Sequence, residues 1–299
     1  MKSFGAASKV LYQIIQKDPN KSDHIIAIGG GTIIDMAGFV SQLALRGMPL
    51  ILIPTTLLSQ VDAAIGGKNG LNIKTRKNKI GSFYYPELVI CDTIFLSTLS
   101  DRELCSGMAE IIKIFAIHSK KAFWSLLSNR VDTNRLESDA WLKGIISKAV
   151  SLKIELLNLD PFETSAKRLL NFGHTFAGSF EEFSEFSITH GEAVLLGMLC
   201  ETKISELTGH CSSAVFEAIY LLVSIFLTPQ CISFQITGSS LRKAVNSTKN
   251  MRGGKMNIVL LKEIGTGCIV DDVPESIVIK AWEHVANRIV CGKSTEKSK

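Results

Sequence analysis

The chain has 299 residues, enough for one large domain or two of ordinary size, and its 46% hydrophobic and 20% charged residues are those of a soluble globular protein. A net charge of +5, part of it in the terminal stretch 291–299, forms no basic stripe interleaved with aromatics, which argues against nucleic-acid binding and leaves anionic small substrates open. Seven cysteines without a C-x-x-C pair suggest neither a disulfide framework nor a thiolate zinc site and fit a reducing cytoplasm.

Residues 1–20 form an amphipathic pattern with lysines throughout, unlike a secretory leader. Next comes the most legible architecture. In residues 24–56 a short apolar run ends in Gly29-Gly30-Gly31, a helix-length segment follows to Arg46, and a second apolar run closes a βαβ unit of a parallel sheet. Glycines at such a strand-to-helix turn let a ligand approach the backbone, and the free N–H groups of the following helix suit a pyrophosphate. Asp35 lies one turn into that helix. The triplet is not a full G-x-G-x-x-G fingerprint, so alone it is a weak signal.

Residues 55–86 are expected to be a long glycine-rich loop that gathers Asp62, Lys68, Lys77 and Asn78, donors suited to a phosphorylated ligand. A buried strand is expected at 88–93. Beyond about residue 97 the texture turns helical, which places a domain boundary at 96, with an α/β domain over 1–96 and a mainly helical domain over 97–299. Glu110 and Lys113, three apart, share a helix face, a spacing that alone suggests a surface ion pair. His174 and His190 are too far apart in sequence to share one helix face but could converge from two adjacent helices. Two imidazoles plus a carboxylate make the ligand set of an open zinc site, although the spacing equally suits two ordinary hydrogen-bonded histidines. The apolar run 218–227 is too short to span a bilayer and predicts a buried helix; 255–261 predicts a strand.

Taken in order, the words GGGTIIDMAGF, IPTTLLSQVDAAIGGKNG, KNKIGSFYYP, AEIIK, RLLNFGHTF and HGEAVLLGM resemble the 3-dehydroquinate synthase family, within the sugar phosphate cyclases. The resemblance runs over residues 1–265. It implies a Rossmann-like NAD-binding domain, lacking its N-terminal part, followed by a helical metal-binding domain. The implied reaction turns 3-deoxy-D-arabino-heptulosonate 7-phosphate into 3-dehydroquinate and phosphate, in the shikimate pathway, by transient oxidation with NAD. Carried over by motif, Glu110, His174 and His190 match ligands of zinc, with Co2+ as an alternative metal. Arg46, Asp62, Lys68, Asn78, Lys113, Lys153, Lys167, Asn171 and Lys249 match substrate-contacting positions, and Lys68, Lys113 and Asn171 are also expected to take part in the chemistry. Glu163 matches a proton acceptor. Gly30, Gly31, Thr32, Asp35, Thr55, Thr56, Lys77 and Thr98 match positions around NAD. Arg46 matches a residue reaching the neighbouring subunit, which implies a homodimer.

The pattern breaks at Gly178, where the family has a second histidine that contacts phosphate and moves protons. It also breaks at Lys167, where an arginine is usual, and near Lys249 and Asn250, either of which aligns with a phosphate-binding lysine. Another sugar phosphate cyclase, of the 2-deoxy-scyllo-inosose or valiolone type, and a catalytically impaired metal-binding fragment are the alternative readings.

Overall fold

A computed structural model describes residues 2–74, 76–128, 139–159, 168–251 and 253–294. The chain divides into two compact units, residues 1–107 with 136–157, and residues 108–135 with 158–299.

In the first unit α1 (Phe4–Ile15) begins where the Ser3 hydroxyl accepts the Ala6 N–H. The expected βαβ unit follows as β1 (Ile25–Gly29), α2 (Gly31–Leu43) and β2 (Leu50–Pro54), the two strands parallel with Ile25 opposite Leu50 and Gly29 opposite Pro54. A π-helical turn over Ser59–Ala63 leads into an antiparallel hairpin, β3 (Lys68–Ile73) and β4 (Arg76–Phe83), and β5 (Leu88–Val89) then joins β2 in parallel. The three-stranded order is β1-β2-β5.

Two expectations are corrected here. Residues 55–86 are not one long loop, because most of 68–83 is paired as a hairpin. What anchors it is Leu71, fully buried with Ala7, Phe39 and Val40, while Ile80 packs on the same cluster. Four large apolar residues, Leu71, Ile73, Ile80 and Phe83, scattered among glycines and lysines left too little alternation to read as strands. The segment 88–93 was expected to be buried, yet only Leu88 and Val89 are in a strand, and Leu88 is 48% exposed. The same face of β1 is open: Ala27 packs inward with Ile34, Leu50 and Leu52, whereas Ile26 and Ile28 are 59% and 58% exposed.

Three helices come next, α3 (Asp101–His118), α4 (Lys120–Ser128) and α5 (Asp139–Leu159), of which α3 from Met108 onward and α4 belong to the second unit. That unit continues with α6 (His174–Phe183), α7 (His190–Leu207), α8 (Ser213–Ser224), α9 (Pro229–Ser233) and α10 (Gly238–Met251). It closes with an antiparallel hairpin, β6 (Ile258–Glu263) and β7 (Thr266–Val270), and with α11 (Glu275–Ser294). Helix α7 is the centre of this unit: every residue from Gly191 to Ser205 is buried, among α6, α8, α11 and β6. It is a core helix, apolar through Ala193–Cys200 and with Glu192 and Glu201 buried at either end of that run. The helix expected at 218–227 is α8, with Ile219, Leu222 and Val223 buried, and the expected late strand is β6. Among the described residues no helix is long and apolar enough to cross a membrane.

Candidate metal centre

In the second unit three side chains converge. Glu110 on α3, His174 at the start of α6 and His190 at the start of α7 bring their ligand atoms within 4.8 Å of one another. Glu110 Oε1 lies 3.4 Å from His174 Nε2 and 3.5 Å from His190 Nε2.

Each histidine is set by its surroundings. The residues preceding α7 spell Thr189-His190-Gly191-Glu192, a capping box: the Glu192 N–H donates to Thr189 Oγ1, and the Thr189 N–H donates to Glu192 Oε2. This fixes His190 as the first residue of the helix. Its Nδ1 donates to Glu181 Oε1 at 2.8 Å, so Nε2 is turned toward Glu110. Helix α6 starts differently. Gly173 precedes it in the left-handed region, φ 78°, and His174 Nδ1 donates to the Phe172 carbonyl at 3.1 Å, which leaves Nε2 as the inward nitrogen. Second hydrogen bonds of this kind are how metal-binding imidazoles are oriented.

Glu110 is wholly buried, with Oε1 toward the two imidazoles and Oε2 toward Lys113. It forms an ion pair with Lys113, itself 2% exposed, so the expected surface pair is in fact a buried one. Burial alone would raise the Glu110 pKa; the Lys113 ammonium and the two histidines outweigh it and hold the carboxyl well below its ordinary range. At His190 desolvation opposes the charge, but the neighbouring Glu110 and Glu181 carboxylates outweigh it and lift its pKa to about 9. A buried carboxylate whose Oε1 is faced at 3.4 and 3.5 Å by two imidazole nitrogens, each ring oriented through its other nitrogen, is the arrangement that suits a divalent cation. The donor set, two nitrogens and one oxygen, fits zinc.

The other candidate residues fall into separate groups. In the first unit Gly30 is the N-cap of α2, supplies no capping side chain, and would bring a Cβ to within 3.1 Å of Thr56 if it had one. The Ile33 and Ile34 N–H groups donate to the Gly30 carbonyl, which leaves those of Gly31 and Thr32 as the donors this helix start offers; the Thr55 N–H donates to the Gly29 carbonyl at 3.0 Å, and Thr56 lies beside Gly30. Gly31 and the exposed Thr32 open the helix itself. Asp35 forms an ion pair with Lys2, a residue the motif reading passed over, and Lys2 also donates to Asn78 at 2.7 Å. Burial raises the Asp35 pKa despite this partner. Lys153, 6% exposed, donates to the Asp62 carboxylate at 2.7 Å and to its carbonyl at 2.6 Å. Lys68 and Lys77 lie exposed on the hairpin, Arg46 is exposed with φ 62°, and Thr98 donates to the Phe95 carbonyl. In the second unit Asn171 sits half-buried in a 3-10 turn two residues before Gly173, and Lys249 pairs with Asp272 at 2.8 Å. Glu163 and Lys167 lie outside the described residues. Glu181, Glu192 and Glu201, all buried around the histidines, were not singled out in the sequence; the T-x-x-E spacing was the available signal for Glu192.

Residues 1–106 match the family described as 3-dehydroquinate synthase N-terminal, and residues 107–250 match 3-dehydroquinate synthase C-terminal. The chain is 37% identical over 280 residues to the 3-dehydroquinate synthase of Dictyoglomus turgidum, spanning 93% of this chain and 78% of that one. It is 36% identical over 261 residues to that of Saccharolobus solfataricus, spanning 87% and 73%. Among solved structures it resembles 2-epi-5-epi-valiolone synthase from Streptomyces hygroscopicus subsp. jinggangensis, a structure with NAD+ and Zn2+ bound, with a TM-score of 0.86 and 27% identity over 96% of this chain and 80% of the other.

Proposed function

The chain belongs to the 3-dehydroquinate synthase family, and from that membership we propose that it converts 3-deoxy-D-arabino-heptulosonate 7-phosphate into 3-dehydroquinate and phosphate, a lyase of the shikimate pathway. The higher identities are to dehydroquinate synthases and the lower to the valiolone enzyme, which favours this substrate over other sugar phosphates. The observation that carries the reading is the convergence of the buried Glu110 carboxylate with two histidines whose outer nitrogens are already committed.

When bound, NAD supplies a transient hydride acceptor and zinc a Lewis acid on the substrate hydroxyl oxygens. Glu110, His174 and His190 would hold the zinc. The open N-terminus of α2, with Gly30, Gly31, Thr32, Asp35, Thr55, Thr56, Lys77 and Thr98, would hold NAD, its pyrophosphate against the helix N–H groups. The cofactor pair in the valiolone synthase structure supports both assignments. Lys113 contributes a buried cation beside Glu110, and Lys153, released from Asp62 on binding, would meet the substrate carboxylate. Arg46, Asp62, Lys68, Asn78, Lys167, Asn171 and Lys249 complete the substrate contacts, with Glu163 as proton acceptor. The domains are assigned as 1–96 for NAD and 97–299 for metal and substrate. Exposed Arg46 suits a contact with a second copy in a homodimer, and a cytoplasmic setting suits cysteines that form no disulfide among the described residues.

The test is phosphate release from the heptulosonate phosphate by purified protein with NAD and zinc, against a Glu110→Ala control. Release above the control is expected; a zinc-loaded protein that releases none would overturn the reading.

A further inference from the structure

Gly173, at the N-cap of α6, has no side chain with which to cap the helix, and its left-handed backbone is pressed against α7. The cap comes from elsewhere. Glu201, fully buried on α7, accepts the Gly173 N–H through Oε2 at 2.8 Å and the Thr175 N–H through Oε1 at 3.0 Å. Its two oxygens therefore straddle His174, binding the backbone on either side of it. Glu201 lies eleven residues after His190, three turns along the same face of α7, and Gly197 on that face packs directly under Gly173. The negative charge also sits at the positive end of the α6 dipole.

We propose that Glu201 is a positioning residue for the metal centre: by capping α6 from the neighbouring helix it fixes the backbone of His174, and hence the direction of Nε2, relative to His190 on its own helix. The inference rests on Glu110, His174 and His190 holding a divalent cation. It assigns to one side chain the spacing between two ligands that come from different helices.

The experiment uses the full chain loaded with zinc or with Co2+ and compares Glu201→Gln, Glu201→Asp and a control, Leu222→Ala, in which an equally buried side chain on α8 is truncated. Glutamine keeps the shape, but its one carbonyl oxygen can accept only one of the two N–H groups, and its amide turns a donor toward the other. Aspartate keeps the charge and falls short by one methylene. Zinc affinity is read by chelator competition, and ligand geometry by the visible bands of the Co2+ protein. Expected for Glu201→Gln is a zinc affinity weaker on the order of 10- to 100-fold, the range for lost orienting contacts, together with altered Co2+ bands. Leu222→Ala should lose thermal stability with both readouts unchanged. If Glu201→Gln does not fold, Glu201→Asp is read in the same way. Parent-like zinc affinity and Co2+ bands in whichever variant folds would overturn the proposal while leaving the metal reading intact. A parent protein that binds neither ion overturns both.

Discussion

Glu110 and Lys113 are both buried, and a buried ion pair is costly to break from one side only. Removing one partner strands a charge in the core and typically costs about 3–5 kcal/mol. Glu110→Gln should therefore lower the melting temperature of the zinc-free protein sharply, whereas Glu110→Gln with Lys113→Met, which removes both charges at similar volume, should recover much of the loss. Thermal melts of the two variants decide this; a single variant as stable as the parent would show that Lys113 finds other compensation. His174→Ala probes the same centre through the metal. With one of three ligands gone, purified protein should lose stoichiometric zinc, and unchanged metal content would sink the ligand assignment. The i, i+3 spacing was legible as a pair but not as a buried one, because spacing on one face carries no information about depth. The signal for depth was the apolar residues on the other faces: Met108, Ala109, Ile111, Ile112 and Ile114 enclose the pair on every side of the helix.

At the scale of elements the centre depends on how closely α6 approaches α7. A Cβ on Gly197 would collide with the Gly173 carbonyl oxygen, so these two glycines set the distance between the helices that carry His174 and His190. Gly197→Ala should destabilise the protein by about 1–3 kcal/mol, the usual cost of overpacking a tight contact, and should weaken zinc binding as well. Gly178→Ala gives the opposite sign on the neighbouring helix. Gly178 is exposed in the middle of α6, and a Cβ there meets nothing. Alanine should then stabilise by about 0.5–1 kcal/mol through lower backbone entropy in the unfolded chain. Parallel melts test both, and a shared sign would refute this account of the helix pair. The same contrast explains what could be read in advance. The βαβ unit was legible because its apolar runs and glycine turn carry a strong local period. The β3–β4 hairpin was not, since its pairing rests on Leu71 meeting a helix far away in sequence. The convergence of α6 and α7 was read only as a possibility, for the glycine contact and the Glu201 cap are tertiary.

For the whole molecule, the order of motif words identified the family while single spacings did not, because each word records a constraint at one place and only the fold makes them one site. Gly178 is where this chain departs from that pattern. It lies one turn after His174 on the same face of α6, where the resemblance to the family implies a histidine that would move protons. A glycine cannot donate or accept through a side chain, so on the proposed function the proton transfers expected of that position would run slowly or through another group. Positioned acid–base catalysis is worth about 10²–10⁴-fold. The space around Gly178 accepts a larger side chain. Gly178→His should therefore raise the rate of phosphate release, by about 10²-fold if proton transfer limits the parent, while zinc content and melting temperature stay near those of the parent. An unchanged rate in a folded, zinc-loaded Gly178→His protein would mean that other groups of this chain already carry the proton, and would direct attention to Glu163 and Lys113 as its carriers.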